Sequence, residues 1–359
     1  MAERIAILTG GKAGEPVAAK TAVALIRYRR DEVVAVVDPG FVGRDLAALM
    51  PVLNAPPVVA SVEEATTLGA TAVYLGVATA GGKLPPELKP AVLDAAARGL
   101  RIVSGMHDRL GADADVAAAA SRSQAELVDL RAEALAERTV ATGGPIGGAF
   151  RVLTIGNDCS VGKMVTAWEL TRGLIEAGID AAFAATGQTG MMLSGGGVPI
   201  DAVVGDFLNG AAEALVRRHA HHQVTVVEGQ ASLLHPSYSA VTWGLLAGSQ
   251  PHGLILCCEP GRPHLHGRPS LAVPDPVRLA AVVRASAGEQ SGCELLGVAI
   301  NGRRGRDDPD RLRAERERLE RELGVPACDV VAEGPGALVE VVRAAADARA
   351  ADRPAADAP

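Results

Sequence analysis

The stretch RVLTIGNDCSVGKMVTAWELTRGLIEAG, residues 151–178, carries the reading on which the fold turns. RVLTI has the apolar, β-branched character of a buried strand, and GNDCSVGK is a glycine-bounded turn. MVTAWELTRGLIEAG then spaces Met164, Trp168, Thr171 and Ile175 along one helical stripe. Strand, glycine turn and helix in this order make a phosphate-binding loop. Glycines let the backbone turn its N–H groups inward, the helix N-terminus adds a positive end, and Lys163 supplies a mobile cation. Gly156, Asn157, Asp158, Cys159, Ser160, Val161, Gly162 and Lys163 are therefore expected to cradle a phosphate or pyrophosphate, with Met164 as the next residue of the site. Met164 stands where an ATP-hydrolysing loop places the Ser or Thr that binds magnesium, and thioether sulfur is a poor partner for so hard a cation. A ligand whose pyrophosphate is held and not cleaved, such as coenzyme A, suits this loop better.

Working outward, the strand candidates Ala181–Ala185, Val224–Val227, Leu254–Cys258 and Leu296–Ile300 repeat the α/β pattern, each followed by polar loop residues. Upstream, Arg4–Leu8, Val33–Val37, Ala72–Leu75 and Arg101–Ser104 alternate with helical stretches such as Val17–Tyr28 and Lys89–Arg98. The expectation is an α/β protein with mainly parallel sheets. It comprises a Rossmann-like domain over residues 1–131, a linker at 132–149, a P-loop NTPase-like domain over 150–345 and a disordered tail at 346–359. Interleaved charges in Pro309–Leu323 mark a solvated helix.

Composition agrees. Of 359 residues, 48% are apolar and only 3% aromatic, so packing rests on Ala, Val, Leu and Ile, as in sheets covered by Ala-rich helices. A formal charge of −7 gives no electrostatic reason to expect nucleic acid or an anionic membrane as partner. Five cysteines (Cys159, Cys257, Cys258, Cys293, Cys328) show neither a disulfide framework nor a metal-ligand spacing, and no metal is expected. With no apolar run long enough to span a bilayer and no signal-like start, a cytoplasmic location follows as an expectation.

In the first half, TGGKAGEP (Thr9–Pro16) lacks the G-x-G-x-x-G spacing, although Asp38 closes the second strand as a ribose-binding acid does. The favoured reading is a tight turn. Lys83 and the pair His107 and Asp108 follow other strands and are held in reserve.

The loop at 156–163 has one residue more between its glycines than the usual spacing. It resembles the variant loop of dethiobiotin synthetase-like P-loop proteins, which also carry an Asp where Asp158 stands. That resemblance implies adenine recognition by Asn301, at the end of LLGVAIN. More widely, YLGVATAGGKLPP, SGMHD, GNDCSVGKM, TGQTGMMLSGGGVPIDAVVGDF, VEGQASLLHPSYSAVTWGLL and CCEPGRPH are collinear with a P-loop family that includes bacterial D-glutamate N-acetyltransferases. The resemblance runs from about residue 4 to 340. It implies acetyl-CoA as donor and the amine of D-glutamate, or a related amino acid, as acceptor. Two-domain enzymes of this kind commonly self-associate, so a homo-oligomer is expected.

For that chemistry Lys163 would hold the CoA pyrophosphate or stabilise the thioester's developing oxyanion. Glu228, after an apolar strand where partial burial would raise its pKa, is the first choice for general base, with Asp206 and Asp158 as alternatives. Arg262 is the candidate for a bidentate contact to the acceptor's carboxylate, and Gln188, Thr189, Ser232 and His235 for neutral hydrogen bonds. The alternative is an ATP-dependent ligase or kinase resembling dethiobiotin synthetase, using ATP and magnesium, which Met164 disfavours. A non-catalytic nucleotide or CoA sensor is a third reading.

Overall fold

A computed structural model describes residues 3–305 and 308–352 of the chain. By its contacts the chain divides into two units, residues 1–136 with 191–202, and residues 137–190 with 203–359.

The first unit is built on a six-stranded parallel sheet. Its strands are β1 (Ile5–Leu8), β2 (Val33–Val37), β3 (Val58–Val59), β4 (Ala72–Leu75), β5 (Arg101–Ser104) and β6 (Leu127–Asp129), in the order β3-β2-β1-β4-β5-β6. This is the Rossmann-type order. The intervening helices are α1 (Lys20–Tyr28), α2 (Leu46–Leu49), α3 (Val62–Thr67), α4 (Lys89–Ala97) and α5 (Ala114–Ser123). Apolar clusters lie on both faces of the sheet, which explains why its strands read as continuous Val, Ile, Leu and Ala rather than alternating. Strands β3 and β6 escape sequence reading because two or three residues carry no usable period.

Asp38 closes β2 and staples the glycine turn after β1. Its Oδ2 accepts from Thr9 Oγ1 at 2.7 Å, Gly11 N at 3.1 Å and Ala13 N at 3.2 Å. Those donors hold the loop itself, in keeping with the tight-turn reading. Asp108 likewise serves a turn, accepting from Leu84 N at 3.0 Å.

Met191–Ala202 is the piece that two consecutive halves of sequence cannot assign. Met192 packs into the first unit's core and its carbonyl accepts from Arg29 Nη1 at 3.0 Å. Asp201 accepts from Arg131 Nε at 3.1 Å and Nη2 at 2.7 Å, with His107 Nε2 3.7 Å away. Burial would raise the Asp201 carboxyl, but the His107 and Arg131 contacts outweigh it and hold the group at about 2, against an ordinary 3.8. A depressed folded pKa gives stability that is present above the unfolded value and lost as pH falls through the folded one. Asp201→Asn is therefore expected to cost about 1 kcal/mol at pH 7, allowing for the group's contact with solvent. The gap between variant and wild type in urea unfolding should close between about pH 4 and pH 2. A gap independent of pH over that range overturns the assignment.

The second unit has its own six-stranded parallel sheet. Its strands are β7 (Phe150–Gly156), β8 (Ala181–Ala184), β9 (Val224–Val227), β10 (Gly253–Cys258), β13 (Glu294–Ile300) and β14 (Ala327–Cys328). They stand in the order β14-β13-β10-β7-β9-β8, and a short hairpin, β11 (His264–Leu265) with β12 (Arg268–Ala272), follows β10. The helices are α6 (Lys163–Glu176), α7 (Gln188–Ser194, of which Met191–Ser194 belong to the first unit), α8 (Leu208–Arg218), α9 (Ser239–Ser249), α10 (Pro276–Ser291), α11 (Pro309–Leu323) and α12 (Gly336–Ala351).

Three expectations change here. The buried stripe of α6 is Lys163, Thr166, Ala167, Leu170, Thr171 and Leu174, while Ile175 is exposed. Both stripes obey the helical period, and only the neighbouring sheet selects between them. The segment expected as a linker is pinned down: Thr142 donates through N (2.9 Å) and Oγ1 (2.6 Å) to the buried Glu213 of α8. Burial would raise Glu213, but bonds from Thr142 and Arg217 hold it below the usual carboxylate range. Helix α12 runs on to Ala351, into residues expected as tail, because Ala and Arg propagate a helix well. The rest of that tail, 353–359, lies outside the described residues.

Candidate active site around the phosphate loop

Every strand of the second sheet that flanks β7 ends at the same edge, so its loops gather around residues 156–163. The loop is tightly wound. Ser160 has φ 56° and Gly162 φ 110°, the latter a left-handed conformation that favours glycine immediately before α6. Lys163 is buried, and its Nζ donates to Asp158 O at 2.7 Å, across the mouth of its own loop. Thr166 N, in the first turn of α6, bonds Gly162 O at 2.8 Å.

Asp158 is the hinge pin of the site. Fully buried, it accepts from Cys159 N (2.7 Å) on Oδ1, and from Arg262 Nη1 (2.7 Å) and His266 N (2.7 Å) on Oδ2. One carboxylate thus ties the phosphate loop to the loop after β10 and to the hairpin. Arg262 completes the tie. Its Nε bonds Glu259 at 2.6 Å, Nη1 also reaches Cys159 O at 2.8 Å, and Nη2 reaches Ser160 O at 3.2 Å and pairs with Glu259. All three nitrogens of this guanidinium are committed within the protein. The expectation that Arg262 grips an acceptor carboxylate gives way to a different role, that of shaping the phosphate loop from behind.

Glu259 is the residue that sequence reading missed. Its carboxylate is wholly buried and meets Arg262, Arg303 (Nε 3.1 Å and Nη2 2.8 Å) and Arg304 (Nε 3.4 Å). The available signal was an acid directly after the apolar run GLILCC, at a strand's carboxyl end. Asn301, at the end of β13, places Nδ2 3.8 Å from where a Cβ on Gly162 would sit, and its Oδ1 accepts from Arg303 N at 3.2 Å. The structure thus sets Asn301 beside the phosphate loop.

Glu228 ends β9, next to β7 in the sheet. Its Oε2 accepts from Thr186 N at 2.9 Å and Gly187 N at 3.1 Å, just before α7, and its Oε1 from Gln230 Nε2 at 3.2 Å. Gln188 and Thr189 open α7 and so stand on the same loop. Asp206 does not join this group. It is exposed on the turn Gly205–Phe207 and makes no hydrogen bond or ion pair with the described residues.

The loop after β9 carries Ser232 and His235, both buried. His235 Nδ1 accepts from Ser237 N at 3.1 Å, so in the neutral ring Nε2 bears the proton. That Nε2 has no hydrogen-bond partner among the described residues; Asp158 Oδ1, at 3.9 Å, is too distant. Ser232 Oγ and Asn157 Oδ1 are likewise buried and without a partner among the described residues. Buried polar atoms are rarely left so; Asn157 lies in the loop itself and His235 Nε2 beside Asp158, which makes these two candidates for contact with a ligand. Asp158, Cys159 and His235 offer metal-ligand atoms within 4.8 Å of one another. The tautomer argues against a metal, since His235 presents a proton there and not a lone pair.

Burial pushes the Cys257 thiol up to about 11, Cys328 to about 11 and Cys293 to about 12, with Cys258 higher still. These are inert packing groups, whereas the half-buried Cys159 lies in the phosphate loop.

Comparison with known proteins adds relatives to this geometry. Residues 140–339 match a domain of unknown function described as the DUF1611_C P-loop domain, and residues 39–133 match the DUF1611_N Rossmann-like domain. A D-glutamate N-acetyltransferase from Tritonibacter scottomollicae is 35% identical over 96% of this chain and 100% of its own. One from a Pseudoalteromonas species is 35% identical over 78% of this chain and 83% of its own. The crystal structure of a DUF1611 family protein from Anabaena variabilis is similar with a TM-score of 0.86 and 31% identity, covering 95% of this chain and 99% of that one.

Proposed function

The chain belongs to the DUF1611 family, and from that premise we propose that it transfers an acetyl group from acetyl-CoA to the amine of D-glutamate or a closely related amino acid. The observation that carries this reading is the full-length similarity to a relative named for that activity. The loop supports it: with Met164 after Lys163, a pyrophosphate can be gripped without the magnesium ligand that its cleavage requires.

In this reading the loop N–H groups and Lys163 meet either the CoA pyrophosphate or the thioester oxyanion. Neutral His235 adds an Nε2–H donor to an oxygen of the same ligand. It cannot serve as the amine's base, because its lone pair is turned to Ser237 N. The base falls to Glu228, a carboxylate fixed at the end of β9 by the loop that opens α7. His235, the imidazole beside Cys159, has its lone pair turned to Ser237 N and is not placed to take the thiol proton, so direct attack of the amine on the thioester is preferred to an acetyl-cysteine route.

The test is thiol release from acetyl-CoA with a panel of D- and L-amino acids, with ATP and magnesium run in parallel. Amine-dependent thiol release that Glu228→Gln abolishes supports the reading, and phosphate release without thiol release sinks it. His235 gives a sharper check. A Gln amide nitrogen stands roughly where Nε2 does, and an Asn amide where Nδ1 does. His235→Gln should retain activity within about tenfold, whereas His235→Asn should lose about a hundredfold, as for a missing oxyanion donor. Equal loss in both variants removes His235 from contact with the ligand.

A further inference from the structure

Arginine is concentrated behind the phosphate loop beyond what its carboxylates absorb. Arg262, Arg303 and Arg304 converge on Glu259, and Arg262 is shared with Asp158, so three guanidinium charges face two carboxylates. Arg262 is sealed inside, its side chain 5% exposed, but Arg303 and Arg304 are 33% and 50% exposed. Glu259 engages Nε and Nη2 of Arg303 and only Nε of Arg304. Arg303 Nη1 and both Nη atoms of Arg304 meet no acceptor among the described residues. A buried carboxylate that hydrogen-bonds one guanidinium and ion-pairs with a second, while using only some of their nitrogens, makes a preorganised anion clamp.

Its place gives the ligand. Arg303 and Arg304 stand on the short helical turn Gly302–Gly305, directly after Asn301, and Asn301 lies against Gly162 at the start of α6. A nucleotide whose pyrophosphate rests on the loop has its remaining groups within reach of this turn. Three free donors on two fixed cations suit the three oxygens and near double charge of a phosphate monoester better than a carboxylate. Acetyl-CoA carries such a group on its ribose. We propose that Arg303 and Arg304 bind the 3′-phosphate of CoA, making that phosphate a determinant of donor choice. The inference rests on the acetyl-CoA reading above and extends it to a second anion site on the same donor.

The experiment is calorimetric titration of the full chain with CoA and with 3′-dephospho-CoA, which needs no turnover. Wild type should bind CoA at least about tenfold more tightly, the worth of one or two charge-assisted hydrogen bonds. Arg304→Ala leaves the Arg303–Glu259 pair in place and should shrink that ratio to about threefold or less, with dephospho-CoA affinity unchanged. Arg303→Gln with Arg304→Gln should abolish the discrimination, with thermal melting to confirm the fold. Equal wild-type affinity for the two ligands overturns the clamp while leaving the acetyltransferase reading standing, and so does a ratio that survives Arg304→Ala. Failure to bind either ligand overturns both. Loss of affinity for the amino acid alone assigns the arginines to the acceptor and overturns the proposal.

Discussion

Lys163→Ala is expected to lower kcat/KM for acetyl transfer by about 10²- to 10³-fold, the range for removing one preorganised donor to a developing or fixed anion. The side chain is buried at the start of α6, and its ammonium is held over the loop by the Asp158 carbonyl at 2.7 Å. In the proposed reading a ligand oxygen would replace that carbonyl as its partner, with the cation in position before substrate arrives and little reorganisation needed. If Lys163 holds the pyrophosphate, KM for acetyl-CoA carries most of the loss. If it meets the thioester oxygen, kcat carries it. Steady-state kinetics with varied acetyl-CoA, beside a melting curve within a few degrees of wild type, separates the two. An unchanged kcat/KM would remove the loop from the chemistry.

Gly229→Ala is expected to be the most damaging single methyl in the second unit. A Cβ there would lie 1.6 Å from Thr154 O and 2.7 Å from Thr154 C, backbone atoms of the central strand β7 that cannot rotate away. Relief requires β9 and β7 to part, and their pairing and the Gly229 N to Thr154 Oγ1 bond (2.8 Å) hold that part of the sheet together. The expected cost is about 3 kcal/mol or more, which for a unit of this size lowers the melting temperature by about 10 °C. Residual folded protein should also lose activity, because Glu228 is the adjacent residue. A melting temperature within about 2 °C of wild type would show that the strand end yields more easily than this packing allows.

The phosphate loop and the strands beside it were legible because their signals are local. Glycine spacing, a lysine and an apolar run before them need only residues 151–178. Val33–Val37, Ala72–Leu75, Arg101–Ser104 and Val224–Val227 match their strands residue for residue, since strands buried on both faces are mainly apolar. Asn301 was found through resemblance, and the structure places its side chain against Gly162.

The partners of charged residues were not legible. Arg262 reads as a free cation in CCEPGRPH, yet Asp158 lies 104 residues away in sequence and Glu259 three, and together they consume it. His235 reads as one more loop histidine until Ser237 N fixes its tautomer and leaves Nε2 as a donor. Met191–Ala202 joins the first unit through Met192 and Asp201, whose partners Arg29 and Arg131 lie 163 and 70 residues away in sequence.

By itself, then, the sequence determined two α/β units with parallel sheets, a P-loop at 156–163 and the lack of a hydroxyl at position 164. Each follows from period, glycine placement or the identity of one side chain. Tertiary structure alone decided which charges are spent: Arg262 is consumed, Arg303 and Arg304 keep nitrogens that meet no acceptor among the described residues, and His235 Nε2 lies 3.9 Å from Asp158. The reason is that a hydrogen bond is a relation between two groups, and its availability depends on neighbours that only the folded chain brings within 3 Å.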